Sequence, residues 1–205
     1  DDLIVDVEAA AWVTHNTLRV PGAFVNNTVI PRCLSSMDDA LRRAAELQAG
    51  TAAWPTMTGR VNRAFRSRVD GTAQPYSLTI PASYDPAKPI ALYVYLHGRS
   101  QTDPDLGWGS VGGNDRAAAP RGGGDANYIR LNAFGRSNNS FRWAGETDVL
   151  EAIASVRQRY NIDPDRILLA GFSMGGAGAW QLGLRRPDLF CGLEINAGVI
   201  GSRFP

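Results

Sequence analysis

The stretch of this sequence with the clearest chemical purpose is Gly171-Phe172-Ser173-Met174-Gly175, set between the apolar run RILLAG and a helix-forming segment that starts at Met174. A strand that turns straight into a helix on a serine holds that hydroxyl out of the sheet, in a strained backbone conformation. Gly171 and Gly175 suit such a crossing, because strand end and helix start pass too closely for a Cβ, and Gly176 and Ala177 keep it tight. The helix from Met174 aims its amides and its positive end at the place where an oxyanion would develop beside Ser173. The predicted chemistry is attack by the Ser173 hydroxyl on an acyl carbon. A glycine-rich turn with an incidental serine is the bland alternative; the strand before and the helix after argue against it.

A second motif points the same way. YVYLHGRS ends a predicted strand on His97-Gly98-Arg99, where a loop donating to the oxyanion would lie, and the amides of Arg99 and Met174 are the expected donors. His97 is read as a brace for that loop, together with Gly98, rather than as the catalytic base. What is missing is equally informative. The chain holds two histidines, His15 and His97, and none among the thirty-two residues after Ser173. The acids beyond the serine are Asp188, in the turn RRPDLF, and Glu194, inside a predicted strand; neither is assigned a catalytic role.

The elements that must position these groups follow from pattern. VNRAFRSRV and QPYSLTI flank DGTA and predict a β-hairpin. IALYVYL, residues 90–96, is continuously apolar, as a strand covered on both faces would be. A glycine-rich connection leads to the strand YIRLNAF. The helix from Glu146 to Tyr160 carries Val149, Ile153, Val156 and Tyr160 on one face. NIDPD is read as a turn, RILLAG as a buried strand, Met174 to Leu184 as a helix and FCGLEIN as a last strand. Strands alternating with helices predict an α/β fold, a mostly parallel sheet with flanking helices. Residues 1–59 differ, and read as a mainly helical N-terminal extension before a core at 60–205. There SSMDDALRRAAELQAG predicts a helix capped at Ser35 or Ser36, with Asp38 and Asp39 near its positive end and Gly50 as its stop.

Composition narrows the function classes. The 205 residues are 44% hydrophobic and 20% charged, with a net charge of +1, which gives no reason to expect nucleic acid or an anionic membrane as partner. No apolar run reaches the roughly 20 residues of a membrane span. Cys33 and Cys191 allow one bridge or none. GGGD and GGND lack the Lys-Ser/Thr that follows in a phosphate-binding loop, so nucleotide binding is rejected.

Other residues admit two readings. Trp108, Phe134 and Trp143 are candidates for an acyl or aromatic pocket, or for packing. Arg136, Asn138, Asn139 and Arg142 can meet a polar or carboxylated substrate, or form a solvated loop. Glu146 and Asp148 are read as acids at a helix start, without chemistry. The arginines at 60, 63, 66 and 68 are read mostly as an exposed strand face.

Taken together, LHGRS, RWAGETDVLEAI, YNIDPDRILLAGFSMGGAGAW and RRPDLF resemble the α/β-hydrolase superfamily over about residues 60 to 200. The similarity is closer to its secreted esterase and prolyl-oligopeptidase-like branch, with feruloyl-esterase and polyhydroxybutyrate-depolymerase relatives. The resemblance implies acyl transfer through an ester on Ser173, with small-molecule ester, polymer or peptide substrates, no metal or organic cofactor, and a secreted or periplasmic location. It also implies a triad in the order serine, acid, histidine. The strands expected to carry the acid and histidine loops are absent after FCGLEIN. A longer protein, a second chain completing the sheet, and a catalytically silent binding module are the three explanations.

Overall fold

The structure, a computed structural model, describes residues 4, 7, 29–99 and 126–199. Helix α1 (Val29–Gln48) and a 3-10 turn (Trp54–Thr56) precede the hairpin β1 (Gly59–Arg66) and β2 (Ala73–Ile80). Strands β3 (Ile90–Leu96) and β4 (Tyr128–Ala133) follow, then α2 (Ala144–Arg159), β5 (Ile162–Phe172), α3 (Met174–Arg185) and β6 (Gly192–Asn196). The strands form one six-stranded mixed sheet in the order β1-β2-β4-β3-β5-β6. β2 runs antiparallel to both β1 and β4, whereas β3 to β6 run parallel to one another.

Burial follows the two periods. Ile90, Leu92, Val94 and Leu96 on β3 and Ile167 and Leu169 on β5 are buried with Val149, Ile153 and Val156 of α2 and Leu182 of α3. At about 25 cal/mol per Å2 of apolar surface, this layer is the main favourable term holding the sheet to its helices. The buried Tyr76 hydroxyl meets the Ser155 hydroxyl at 2.9 Å, so the one polar tip in that layer is satisfied.

Four expectations change. β3 alternates between buried and half-buried residues, and on its second face Tyr93 and Tyr95 lie under the Arg130 guanidinium, 5.2 and 4.3 Å from the ring centres. NIDPD is not a separate turn, because β5 already begins at Ile162; the irregularity is taken up by a register shift against Ile90 to Leu92. Helix α1 begins well before Ser35 and Ser36, which are therefore interior residues and not caps. Pro31 falls in its first turn, where a missing N–H costs nothing. Asp38 and Asp39 are consequently mid-helix, and Asp39 and Glu46 both pair with Arg42. Gly50 does stop the helix, at φ 69°, with Gly50 N–H donating to Leu47 O and Thr51 N–H to Glu46 O.

The fourth concerns Arg63, which is buried while Arg60, Arg66 and Arg68 are exposed. Strand alternation puts 63 on the opposite face from 60 and 66. There it donates to the Trp54 and Pro55 carbonyls at 2.8 and 3.0 Å and lies over the Trp54 ring.

Candidate active site

Parallel pairing of β3 with β5 places Leu96 opposite Gly171, so His97-Gly98 leaves the sheet beside Phe172, the last residue of β5, and Ser173 follows. A Cβ on Gly98 would come 3.1 Å from the Phe172 ring. Ser173 has φ 52° and ψ −114°, a region that costs an L-residue ~1–3 kcal/mol. Its N–H donates to Asn196 O at 2.8 Å, and its carbonyl accepts the Ala177 N–H at 3.0 Å, so the backbone is pinned on both sides. The hydroxyl makes no capping bond to α3.

The crossing is tight enough to exclude any side chain. A Cβ on Gly171 would lie 2.1 Å from Gly175 O, and one on Gly175 would lie 2.0 Å from Leu96 O. Met174 is the first residue of α3, so its N–H belongs to the first-turn donors that lack a helical acceptor. Arg99 follows Gly98 directly and is exposed.

His97 faces away from base duty. Its Nδ1 lies 2.8 Å from Gly98 O and its Nε2 3.0 Å from Phe134 O, while its ring meets Phe141 edge-on at 5.1 Å. Both nitrogens face backbone carbonyls, which only accept, so the neutral ring donates to one of the two at a time. Asp188 is held by Arg186 in its turn, at 3.0 and 2.9 Å. Glu194 accepts from the Tyr93 hydroxyl at 2.8 Å and the Asn196 amide at 3.0 Å. Burial and that carboxylate push the Tyr93 phenol well above its ordinary range.

The sequence points to Arg136, Asn138, Asn139, Arg142 and Trp143 in the loop from Gly135 to Trp143, but not to the strain of its backbone. Of the seven non-glycine residues with positive φ among the described residues, five lie here (Arg136, Ser137, Ser140, Phe141 and Trp143); the others are Ser173 and Ala197. Trp143 directly precedes α2 at φ 52°, ψ −120°, nearly the backbone of Ser173. It is 73% exposed and, with Arg142, Glu146, Gln181 and Arg185, lines an open cleft of about 520 Å3. Phe134, by contrast, is buried, and Trp108 lies outside the described residues, as do GGND and GGGD. Cys191 is an exposed free thiol; the Cys33 side chain lies outside the described residues.

Arg136 is engaged within the protein. Its Nε donates to both oxygens of Asp148 at 3.1 Å, and its Nη atoms reach Asp70 and the Ser67 hydroxyl. Asp148, read from sequence as a helix-start acid, is instead buried in this cluster. One cation serves two carboxylates here, so one of them must yield. Burial pushes Asp148 up to about 6, while the hydrogen bond from Arg136 holds Asp70 well below the usual carboxylate range. Asn139 accepts the Phe141 N–H at 2.8 Å and shapes the loop. Among the described residues no group of side chains has the makings of a metal site, and no helix is long and apolar enough to cross a membrane.

No family model matches the chain. A poly(3-hydroxybutyrate) depolymerase of Ralstonia pickettii is 31% identical over 122 residues, covering 53% of this chain and 25% of that protein. A thermostable esterase of known structure superposes with a TM-score of 0.50 at 29% identity, covering 65% of this chain and 40% of the other. The chain thus spans about a quarter of the curated relative it matches. Its sheet order, its flanking helices and these likenesses agree with the resemblance read from the sequence: the chain has the fold of the α/β-hydrolase superfamily.

Proposed function

We propose that this chain carries the nucleophile and oxyanion site of a serine hydrolase that cleaves carboxylic esters, with peptides as the less favoured substrate. The observation that carries this reading is Ser173 itself. Its hydroxyl is uncommitted to capping, on a strained residue pinned by Asn196 O and clamped by two glycines that have no room for a Cβ. These features support reading the corner at Ser173 as a nucleophile elbow.

In this mechanism the Ser173 Oγ attacks the ester carbonyl carbon while its proton passes to a general base. The carbonyl oxygen becomes an oxyanion facing the Met174 and Arg99 N–H groups, each such donor being worth ~3–4 kcal/mol. The tetrahedral adduct collapses, the C–O bond breaks, and the alcohol leaves with the proton. Water then attacks the acyl-serine by the same route in reverse and releases the acid. His97 is read as the brace of the loop, its ring nitrogens facing two backbone carbonyls, and the base and the acid that orients it are expected from residues outside this chain, on a longer polypeptide or a second one. A secreted or periplasmic location goes with this reading.

The test is hydrolysis of p-nitrophenyl and feruloyl esters by the full-length protein, with any partner subunit, beside its Ser173→Ala variant. Turnover that vanishes in the variant supports the reading. A full-length protein that hydrolyses neither, or one that hydrolyses both equally well without Ser173, overturns it and leaves a binding module of the same fold.

A further inference from the structure

We propose that Arg136, anchored by Asp148 and Asp70, is a positioning residue that sets the direction of the Arg99 N–H through Phe141, Phe134 and His97. This rests on reading that amide as one of the two oxyanion donors.

The physical path is continuous. The peptide between Gly98 and Arg99 is planar, and in the trans form its C=O and N–H point in opposite directions. Whatever fixes the Gly98 carbonyl therefore fixes the Arg99 N–H. The His97 ring does this, with Nδ1 2.8 Å from Gly98 O. The ring is itself seated between two residues of one loop: Phe134, whose carbonyl lies 3.0 Å from Nε2 and competes for the single proton of the neutral ring, and Phe141, whose ring meets it edge-on. Phe141 is fully buried, and it sits so close over Gly135 that a Cβ there would lie 2.3 Å from its ring.

Such a loop does not hold its shape unaided. Five of its non-glycine residues have positive φ, each costing ~1–3 kcal/mol, and strain of that kind persists only where surroundings over-determine it. Arg136, directly after Gly135, supplies the constraint. Its Nε and both Nη atoms are engaged, by Asp148 on α2 and by Asp70 and Ser67 on the β1–β2 turn. The planar fork ties three elements at one point, which a lysine ammonium cannot do in the same geometry. Couplings of this length are carried by packed rings and hydrogen bonds with discrete arrangements, and this one has four links.

The experiment compares wild type with Arg136→Lys and the milder Asp70→Asn, which keeps the Asp148 pair. The readouts are the His97 ring nitrogen shifts by NMR and the amide exchange of Gly98 and Arg99, neither of which needs turnover. The expected result is a wild-type proton on Nδ1 that is partly lost in Arg136→Lys. Arg99 amide exchange should be at least ~10-fold faster while β3 and β5 amides stay protected. Asp70→Asn should shift the same signals less far, and decides the matter if Arg136→Lys does not fold. In active protein, kcat should fall ~10-fold with KM within about twofold. Unchanged His97 and Arg99 signals in a folded variant would overturn the proposal, because the loop would then absorb the loss locally. A failure of Ser173 as nucleophile would appear as absent turnover with the coupling intact, so the two failures are distinguishable.

Discussion

Ser173 and Trp143 occupy the same backbone corner. Each precedes a helix, at φ 52°, ψ −114° and φ 52°, ψ −120° respectively, and each is followed two residues later by a glycine without room for a Cβ. What differs is the clamp. Gly175 is shut against the Leu96 carbonyl at the end of β3, so the Ser173 corner is locked to the sheet. Gly145 is shut against Asn139 and Gly135 O, so the Trp143 corner is locked only to its own loop. The lesson is that strain alone does not make a reactive position. One corner presents a hydroxyl beside a second strand's loop and the first amides of α3; the other presents an indole to an open cleft.

The comparison breaks most visibly in activity. Ser173→Ala should lower ester hydrolysis by about 10^4-fold or more, while Trp143→Ala should change kcat/KM less than tenfold; steady-state kinetics on one ester decides both. A similar loss in both variants would mean the cleft is part of the reacting site.

Stability gives the next largest difference. Gly175→Ala forces a backbone carbonyl 2.0 Å from the new methyl to move and should cost ~3 kcal/mol or more, lowering Tm by roughly 6–12 °C. Gly145→Ala meets neighbours at 2.6 Å, one an amide side chain that can swing away, and should cost about half as much. Calorimetry on both variants ranks the clamps; equal losses would mean that the two corners are held equally tightly.

The loop under Trp143 should also carry a pH signature that the sheet-locked corner lacks. The Asp148 carboxyl is pushed up to about 6 by burial, above its ordinary 3.8, so the folded protein holds that proton more tightly than the unfolded chain. Its contribution to stability is therefore fully present at low pH and is lost as pH rises from about 4 through 6. Asp70 has the opposite sign: its pairing with Arg136 stabilises above the usual carboxylate range and is lost as pH falls. Carbon NMR should show Asp148 titrating near 6, and higher still in Arg136→Gln, where the favourable charge is gone. A midpoint near 4 would mean the carboxylate is better solvated than its burial implies.

Trp143→Gly and Ser173→Gly both relieve a positive φ and should each raise stability by up to ~1 kcal/mol, but only the second should abolish activity.

Much of the Ser173 corner was legible because its constraints are local: a five-residue pattern, an apolar run before it and a helix after it. The helix faces were legible for the same reason, since Val149, Ile153 and Val156 repeat at helical spacing. The start of α1 was not, because Pro31 within the first turn left no cap residue to read. Arg63 looked like one of four exposed arginines until strand alternation separated it from Arg60 and Arg66. The Arg136 cluster was hidden most completely. Its partners lie 12 and 66 residues away, and only the hairpin turn and α2 meeting in space bring them together.

The most direct measurement is covalent labelling of the full-length protein with a fluorophosphonate, followed by intact mass and peptide mapping. A single adduct is expected on the peptide bearing Ser173, absent from Ser173→Ala. Ester hydrolysis accompanied by an adduct elsewhere, or by none, would contradict it.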